Sequence, residues 1–191
     1  NTTEAGIEYR EEDKITDAPC KSFPAKVTQL LYKRFQLNLK GFVFLPCELI
    51  DRNGDNLKNC ILKYADLWDL GEDFKKFVEE DNVFCNTLVD RINTGYPKGE
   101  DIAGDDKMFN ASEYFHLWVI ECYYDLEKEL PLKSAGLNII VTKDKLEMYR
   151  TRKVRILNGA HTSLVPYALL SGFDTVKSCI DDPTMREHVR K

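Results

Sequence analysis

The sequence lacks the cysteine and histidine spacing of a metal centre. It has three histidines and six cysteines, and no two cysteines form a Cys-x-x-Cys pair. The spacings fit no zinc template. The cysteines at positions 47, 85 and 122 lie in or beside apolar runs, where a free thiol behaves as a small hydrophobic group. We therefore expect no metal, and a reduced protein of the cytoplasm.

Long apolar runs and excess positive charge are also absent. No run approaches the ~18 apolar residues that a membrane span needs, and no signal segment is recognisable. The net charge is −5, from 27 basic and 32 acidic side chains. Nucleic acid is excluded as the main partner because phosphate binding needs a basic surface. A small anionic ligand held by a local basic cluster stays compatible with this composition, and the oligomeric state is left open.

The sequence also lacks the glycine-rich turn that binds the phosphates of a dinucleotide. No Gly-x-Gly-x-x-Gly occurs in the chain, although a dinucleotide-binding fold carries this phosphate-binding turn at its first strand–helix junction. The chain begins with Asn1 rather than Met and stops in charged residues at Lys191. We interpret it as a piece of something longer.

The hydrophobic pattern predicts alternating strands and helices up to about residue 142. Ser22 and Pro24 predict a helix start. Apolar spacing predicts a second helix over 57–68, after a turn at 51–55, and a third over 72–80. Short apolar runs predict strands at 41–45, 83–85, 114–120 and 137–141. Such alternation is typical of an α/β fold. The pattern is helical from residue 144 onward, with Pro166 expected to kink or interrupt it.

Two polar segments are expected to be loops. Residues 1–22 are mostly polar, and residues 93–110 combine glycine and proline with acidic side chains. The second segment is either a mobile connection or a lid, because long ordered loops are often functional. We place the domain boundary after residue 142, which gives segments 1–142 and 143–191.

The most informative motif is Lys153-x4-Asn158-x2-His161. An amine, an amide and an imidazole this close suggest chemistry at an oxygen atom. A lysine acts as a general base when burial or nearby cations lower its pKa. Asparagine and histidine side chains donate hydrogen bonds to a carbonyl or alkoxide. The alternative is that the surrounding basic run is a solvated face and that the histidine is structural.

Helical spacing tests whether these three side chains can act together. At ~100° per residue, Lys153, His161 and Asn158 fall at roughly 0°, 80° and 140° around a straight α-helix. They then share one broad side over ~12 Å of helix axis. Gly159 inside a helix costs ~1 kcal/mol relative to alanine, which suggests close approach of another group to the backbone.

Three further segments have sequences typical of strand ends, where open α/β sheets bind ligands. They are residues 1–6, residues 45–49 and residues 86–90. The first qualifies only if a strand precedes it. Each segment is otherwise a plain turn.

Residues 149–162, together with Gly-Phe-Asp-Thr-Val-Lys at 172–177, resemble the signature region of the mannitol dehydrogenase family of polyol-specific long-chain dehydrogenases/reductases. The resemblance implies NAD as cofactor, with Lys153 as general acid/base and with Asn158 and His161 polarising the substrate oxygen. It places Val89 and Asp90 beside the nicotinamide. It also implies that 1–142 is the latter part of a Rossmann-type domain without its Gly-rich turn, and that 143–191 begins a helical substrate domain.

The chain departs from the mannitol pattern at one position that bears on the substrate. It has Cys47-Glu48-Leu49 where mannitol-type members have Cys-Asp-Asn. Leu49 cannot bond a hydroxyl, which favours the sugar-acid branch of the family. A sugar acid needs a cation for its carboxylate, and arginine suits bidentate binding. The candidates are Arg150, Arg152 and Arg155.

Other functions stay open at this stage. Within the family, the substrate could be fructuronate or mannitol. Outside it, the missing Gly-rich turn is compatible with a non-catalytic domain that binds a sugar acid or a partner protein. A piece of this kind is expected to bind NAD weakly or not at all without the missing turn.

Overall fold

The computed structural model describes residues 5–97, 99, 102 and 104–190. The chain forms two compact units, Asn1–Leu146 and Glu147–Lys191, which are described separately. The helices and strands of the first unit are α1 (Phe23–Gln36), β1 (Val43–Phe44), α2 (Asn53–Leu67), α3 (Glu72–Glu80), β2 (Val83–Phe84), β3 (Asn86–Asp90), β4 (Asn93–Gly95), β5 (Ala111–Ser112), β6 (Leu117–Glu121), α4 (Leu126–Glu129) and β7 (Ile139–Thr142).

The first half of this unit is a parallel strand pair joined through helices. Val43 of β1 pairs with Val83 of β2, and α2 and α3 provide the crossover that parallel strands require. Helix α1 begins where the sequence predicts, because the Ser22 hydroxyl accepts a hydrogen bond from Ala25 N at 3.2 Å. The apolar faces of α1, α2 and α3 form the main core. Its buried members are Val27, Leu31, Leu57, Ile61, Ala65, Leu70, Phe74, Phe77 and Val78.

The second half is a three-stranded sheet in the order β3–β6–β7. Strand β3 is antiparallel to β6 over all five of its residues, and β6 is parallel to β7. The expectation of a strand-end turn at 86–90 is therefore wrong, because this segment finds a full set of partners in β6. The strand predicted at 114–120 begins only at Leu117, and the side chain of Tyr114 is 99% exposed.

The two loop predictions have different outcomes. Residues 5–22 contain no helix or strand, as predicted. The segment predicted as a loop at 93–110 begins with strand β4, which pairs with β5 in a short antiparallel ladder. Residues 98, 100, 101 and 103, on which part of the lid alternative depends, lie outside the described residues.

A buried carboxylate fastens the N-terminal loop to α2. Asp13 accepts hydrogen bonds from Lys21 N at 2.7 Å, Ser22 N at 3.0 Å and the Tyr64 hydroxyl at 3.2 Å. Burial raises the pKa of Asp13, but its hydrogen bonds outweigh burial and leave that pKa below its usual value. The carboxylate is thereby kept ionised in the fold.

The second unit is helical, as predicted. Helix α5 (Leu146–Arg152), a π-helical segment (Lys153–Asn158) and α6 (Gly159–Leu170) follow without a break, and α7 (Val176–Asp181) and α8 (Pro183–Arg190) come after them. Its small core consists of Leu164, Ala168, Cys179 and Met185. Pro166 does not interrupt α6, which ends at Leu170 near a left-handed Gly172. Among the described residues, no helix is long and apolar enough to cross a membrane.

One buried amide joins the carboxyl ends of β1 and β2 to the start of α2. Asn53 is fully buried. Its Nδ2 lies 3.1 Å from Pro46 O, 3.1 Å from Glu48 O and 3.2 Å from Thr87 O, while its Oδ1 accepts from Thr87 N at 2.9 Å. The same oxygen accepts from Gly54 N at 3.0 Å. One side chain thus satisfies backbone groups from three segments.

The residue after Asn53 is glycine because the backbone of another segment lies in close contact with it. A Cβ on Gly54 would lie 2.2 Å from the carbonyl oxygen of Cys85. The amide of Asn86 adds a contact, because its Oδ1 accepts a hydrogen bond from Asp55 N at 3.1 Å. The first turn of α2 therefore packs directly against residues 85–87. The backbone N–H groups of Gly54 and Asp55, which have no partner within the helix, are satisfied by side-chain oxygens.

Replacing Asn53 by alanine should lower the free energy of unfolding by roughly 3 kcal/mol or more, because buried backbone groups on several segments lose their partner at once. Urea denaturation measures this. The matched control is Asn56→Ala in the same helix, whose exposed amide donates to Asp51 O at 2.7 Å and should cost less than about 1 kcal/mol. Equal losses for the two variants would contradict the central role of Asn53.

Candidate functional site

The Lys-Asn-His motif lies on one uninterrupted helical stretch of the second unit. Lys153 is the first residue of the π segment and Asn158 the last, while His161 is in the first turn of α6. The N–H of Gly159 bonds to two carbonyl oxygens, Ile156 O three residues earlier and Val154 O five residues earlier. An α-helix would use the carbonyl four residues earlier.

This change of hydrogen-bond register corrects the predicted spread of the motif. A π turn closes over one residue more than an α turn, so later residues are set back by about 100° relative to a straight α-helix. Counted in this way, Lys153, Asn158 and His161 fall at roughly 0°, 40° and −20°. The arc of ~140° expected for a straight helix shrinks to ~60°. The three side chains therefore leave the helix on one face.

Burial varies around α5 and the start of the π segment, and among the motif residues Lys153 is half-buried while Asn158 and His161 are exposed. Leu146 is buried, and Tyr149, Arg150 and Lys153 are half-buried. Their spacing is i, i+3, i+4 and i+7, which is one side of an α-helix. Arg152 and Arg155 are exposed. Lys153, the first residue of the π segment, therefore continues the less exposed side of α5.

The ring of His161 is held by the helix itself. Its Nδ1 lies 2.7 Å from Leu157 O. A carbonyl oxygen only accepts hydrogen bonds, so Nδ1 carries the proton in this contact. In the neutral ring, Nε2 is then left as an acceptor. The sequence-based expectation gave His161 the role of polarising an oxygen, and this geometry adds that a neutral His161 accepts from a hydroxyl rather than donating to a carbonyl.

Two hydroxyl groups after His161 also bond back to the helix. Thr162 Oγ1 donates to Asn158 O at 2.9 Å, and Ser163 Oγ donates to Ala160 O at 3.0 Å. Back-bonding of this kind is common for serine and threonine in helices. At Thr162 it acts on the backbone of a motif residue. Sequence reasoning missed this contact, although a hydroxyl four residues after Asn158 was a usable signal.

The three candidate arginines have different surroundings. Arg150 Nη1 is 3.8 Å from a carboxylate oxygen of Glu147. The guanidinium of Arg152 lies over the ring of Tyr149, 5.3 Å from its centroid. Both of these contacts are made within α5.

Gly159 does not have the close neighbour that its place in a helix suggested. Its backbone is ordinary α-helix, with φ at −61°. A Cβ built there would come no closer than 3.7 Å to any described atom outside its own turn, the nearest being Val154 O. That expectation is wrong for the described residues of the chain.

The predicted nicotinamide contacts lie in the first unit, on β3. Val89 pairs with Trp118 and Asp90 with Leu117 across the antiparallel ladder. Both are half-buried. Because side chains alternate along a strand, Val89 and Asp90 point to opposite faces of the sheet. Their placement beside a nicotinamide stays a prediction.

The predicted strand-end segments are partly brought together. The carboxyl ends of β1 and β2 are neighbours because these strands are parallel and paired, which puts residues 45–49 close to Cys85 and Asn86. Glu48 is buried, whereas the side chain of Leu49 is 60% exposed. The segment at residues 1–6 is described only in part, since residues 1–4 lie outside the described residues.

Thiol chemistry is not supported at Cys47, Cys60 or Cys85. Burial raises the pKa of the Cys47 and Cys60 thiols, and burial with the neighbouring Cys122 raises that of Cys85. Such thiols are poor nucleophiles. Asp13, Asp17 and Cys20 have potential ligand atoms within 4.8 Å of one another, but Asp13 is committed to Lys21, Ser22 and Tyr64.

The chain is similar to curated enzymes along its whole length. It is 47% identical to the altronate oxidoreductase of Yersinia enterocolitica and 45% identical to that of Bacillus subtilis, with all of this chain covered. The chain spans 41% and 42% of the length of these relatives.

Two solved structures share the fold. A D-sorbitol dehydrogenase in substrate-free form matches 98% of this chain and 42% of its own, with a TM-score of 0.78 and 24% identity. The mannitol 2-dehydrogenase of Pseudomonas fluorescens, solved with NAD and D-mannitol, matches all of this chain and 41% of its own, with a TM-score of 0.70 and 20% identity. At these identities the likeness concerns the fold alone.

Family models match both parts of the chain. The mannitol dehydrogenase Rossmann domain matches residues 1–134, and the mannitol dehydrogenase C-terminal domain matches residues 145–191. The α/β fold class expected from the sequence, a Rossmann-type domain followed by a mostly helical one, is thereby confirmed. With both domain models matched in order along the chain, this protein belongs to the mannitol dehydrogenase family.

Proposed function

We propose that the protein is an NAD-dependent oxidoreductase of the cytoplasm that interconverts D-tagaturonate and D-altronate. The observation that carries the proposal is the common face of Lys153, Asn158 and His161 created by the π segment. The altronate oxidoreductases at 45–47% identity support the sugar-acid substrate. The six cysteines, all of them free thiols, support a reducing compartment.

In the proposed reduction, the ketone oxygen lies against the Lys153 face. Hydride adds to the ketone carbon while an Nζ–H of Lys153 gives its proton to the oxygen, so that the carbonyl becomes a carbinol. Asn158 donates a hydrogen bond from its amide to the same oxygen and stabilises the negative charge that develops there. The reverse reaction uses neutral Lys153 as the base. No metal is needed for either direction.

His161 has a separate part in this proposal. With Nδ1–H bonded to Leu157 O at 2.7 Å, its Nε2 is available to accept from a substrate hydroxyl. A sugar acid has hydroxyls on the carbons next to its ketone. Asn158 therefore orients the reacting oxygen, and His161 orients a neighbouring hydroxyl.

The cofactor supplies hydride chemistry when it is bound. The chain fits the nicotinamide side of such a site: parallel β1 and β2 end side by side, and ligands of open α/β sheets bind at such ends. Val89 offers an apolar, half-buried side chain, with Asp90 contributing through its backbone or from the other face. The sequence contains no Gly-x-Gly-x-x-Gly for the pyrophosphate, so residues of this chain account for only part of cofactor binding.

The proposed domain roles follow from these assignments. Residues 1–142 are the latter part of the NAD-binding domain, and residues 143–191 begin the substrate domain. The substrate carboxylate is bound by an arginine of the group Arg150, Arg152 and Arg155.

Replacing Lys153 by alanine in the full protein that carries this sequence should lower kcat by ~10²–10⁴, because the proton donor is lost. The readout is NADH oxidation with tagaturonate. The control is Lys177→Ala, an exposed lysine of the same unit paired with Asp181 at 3.1 Å, which should keep its kcat. An unchanged kcat in the Lys153 variant would remove this residue from the mechanism.

Replacing Thr162 by valine should lower kcat by ~3–10-fold, since the loss of one hydrogen bond of about 1 kcal/mol loosens the backbone of Asn158. The KM for NADH should stay as in the wild type, the melting temperature should fall by no more than about 4 °C, and Thr162→Ser should restore kcat. Ser163→Ala, which removes the neighbouring back-bond to Ala160 O, is the control. If both variants lose activity equally, the contact at Asn158 has no special role.

A further inference from the structure

We propose that Arg150, rather than Arg152 or Arg155, binds the substrate carboxylate and so selects sugar acids over neutral sugars. This inference rests on the proposed function. The sequence gives three arginines of equal chemistry close to Lys153, and only the structure separates them. The separation comes from their direction, their burial and their distance from Lys153 along the helix.

The first difference between Arg150 and Arg155 is the direction in which each side chain leaves the helix relative to Lys153. Arg150 is three residues before Lys153, in regular α-helix, which puts it ~60° away around the axis. Asn158 lies at roughly 40° on the same side. Arg155 follows Lys153 by two residues within the π segment, which turns it ~160–200° away. Its side chain therefore leaves the helix on nearly the opposite side.

Burial and ring contact set Arg152 apart. Arg150 and Lys153 are both half-buried, whereas Arg152 is exposed. Arg152 is directed ~100° from Lys153 on the side away from Asn158, and its guanidinium lies over the Tyr149 ring. An ion pair formed by a half-buried arginine is screened less by water than one formed on an exposed face. Arg150 is thus the arginine whose charge a substrate on the Lys153 face would sense most.

The spacing along the helix matches the shape of the substrate. The ketone of a six-carbon keto acid of this type lies next to the terminal hydroxymethyl group, and the carboxylate is at the other end of the carbon chain. Arg150 precedes Lys153 by ~4.5 Å along the axis, close to one helical turn. A substrate lying along the helix then has its ketone at Lys153 and its carboxylate at Arg150.

The contact of Arg150 with Glu147 is compatible with this role. It joins Nη1 to a carboxylate oxygen at 3.8 Å, which is long for a charge-assisted hydrogen bond. The same glutamate also accepts a hydrogen bond from Thr151 Oγ1 at 3.0 Å. A guanidinium has five N–H donors in a planar fork, so the contact with Glu147 does not by itself prevent bidentate binding of a carboxylate.

The test compares a charged substrate with its neutral counterpart. D-tagatose has a hydroxymethyl group where D-tagaturonate has a carboxylate. In the full protein, Arg150→Gln should lower kcat/KM for tagaturonate by ~10–100-fold, the effect of losing a charge-assisted hydrogen bond. The value for tagatose should stay unchanged, and Arg150→Lys should recover part of the loss for tagaturonate.

The same substitution at Arg152 or Arg155 provides the comparison. These two residues lie outside the proposed carboxylate site. The ratio of kcat/KM for tagaturonate to kcat/KM for tagatose should therefore stay within about threefold of the wild-type ratio. A collapse of the ratio at Arg152 or Arg155, or an equal loss for both substrates at Arg150, overturns the assignment. A wild-type protein that reduces neither substrate overturns the proposed function itself.

Discussion

The hydrogen bond from Gly159 N to Val154 O, five residues back, is the constraint on which the proposed site depends. In a straight α-helix the same sequence would send Asn158 away from Lys153, and the motif would be spread over a broad side. The extra residue in the π turn moves everything after it by about 100°. Asn158 and His161 then join Lys153 on one face. Short π segments inside α-helices are frequent at functional sites, and here the gain is specific: an amide and an imidazole are brought beside an amine.

The first unit depends on a buried amide in a comparable way. Asn53 bonds to backbone groups before, at and after the crossover helix, and Gly54 lets α2 approach Cys85 without a clash. Parallel strands β1 and β2 end at this point. The amide therefore fixes the place where a dinucleotide fold exposes the carboxyl ends of its strands. Rigidity at such a position serves ligand binding because the strand ends cannot drift apart.

Elements with periodic apolar spacing were predictable from the sequence. Elements that depend on pairing with a distant part of the chain were not. Helices α1 and α3 follow from capping and apolar spacing. Strand β3 did not, because its five residues are defined by pairing with β6 some thirty positions later. The motif residues were identifiable from their chemistry, yet their mutual geometry was misjudged. A π turn leaves no periodic pattern in the sequence, because it is defined by which backbone carbonyl accepts the hydrogen bond from a given N–H. The different surroundings of Val89 and Asp90 likewise required the strand assignment.

We propose that hydride passes to a keto sugar acid in this family member while Lys153 supplies the proton. The most direct measurement uses NADH deuterated at the transferable position, D-tagaturonate as substrate and mass spectrometry of the product. We expect D-altronate with a single deuterium on the former ketone carbon, formed by the wild-type protein and at least ~100-fold more slowly by Lys153→Ala. Altronate without deuterium, or equal rates for the two proteins, would contradict it.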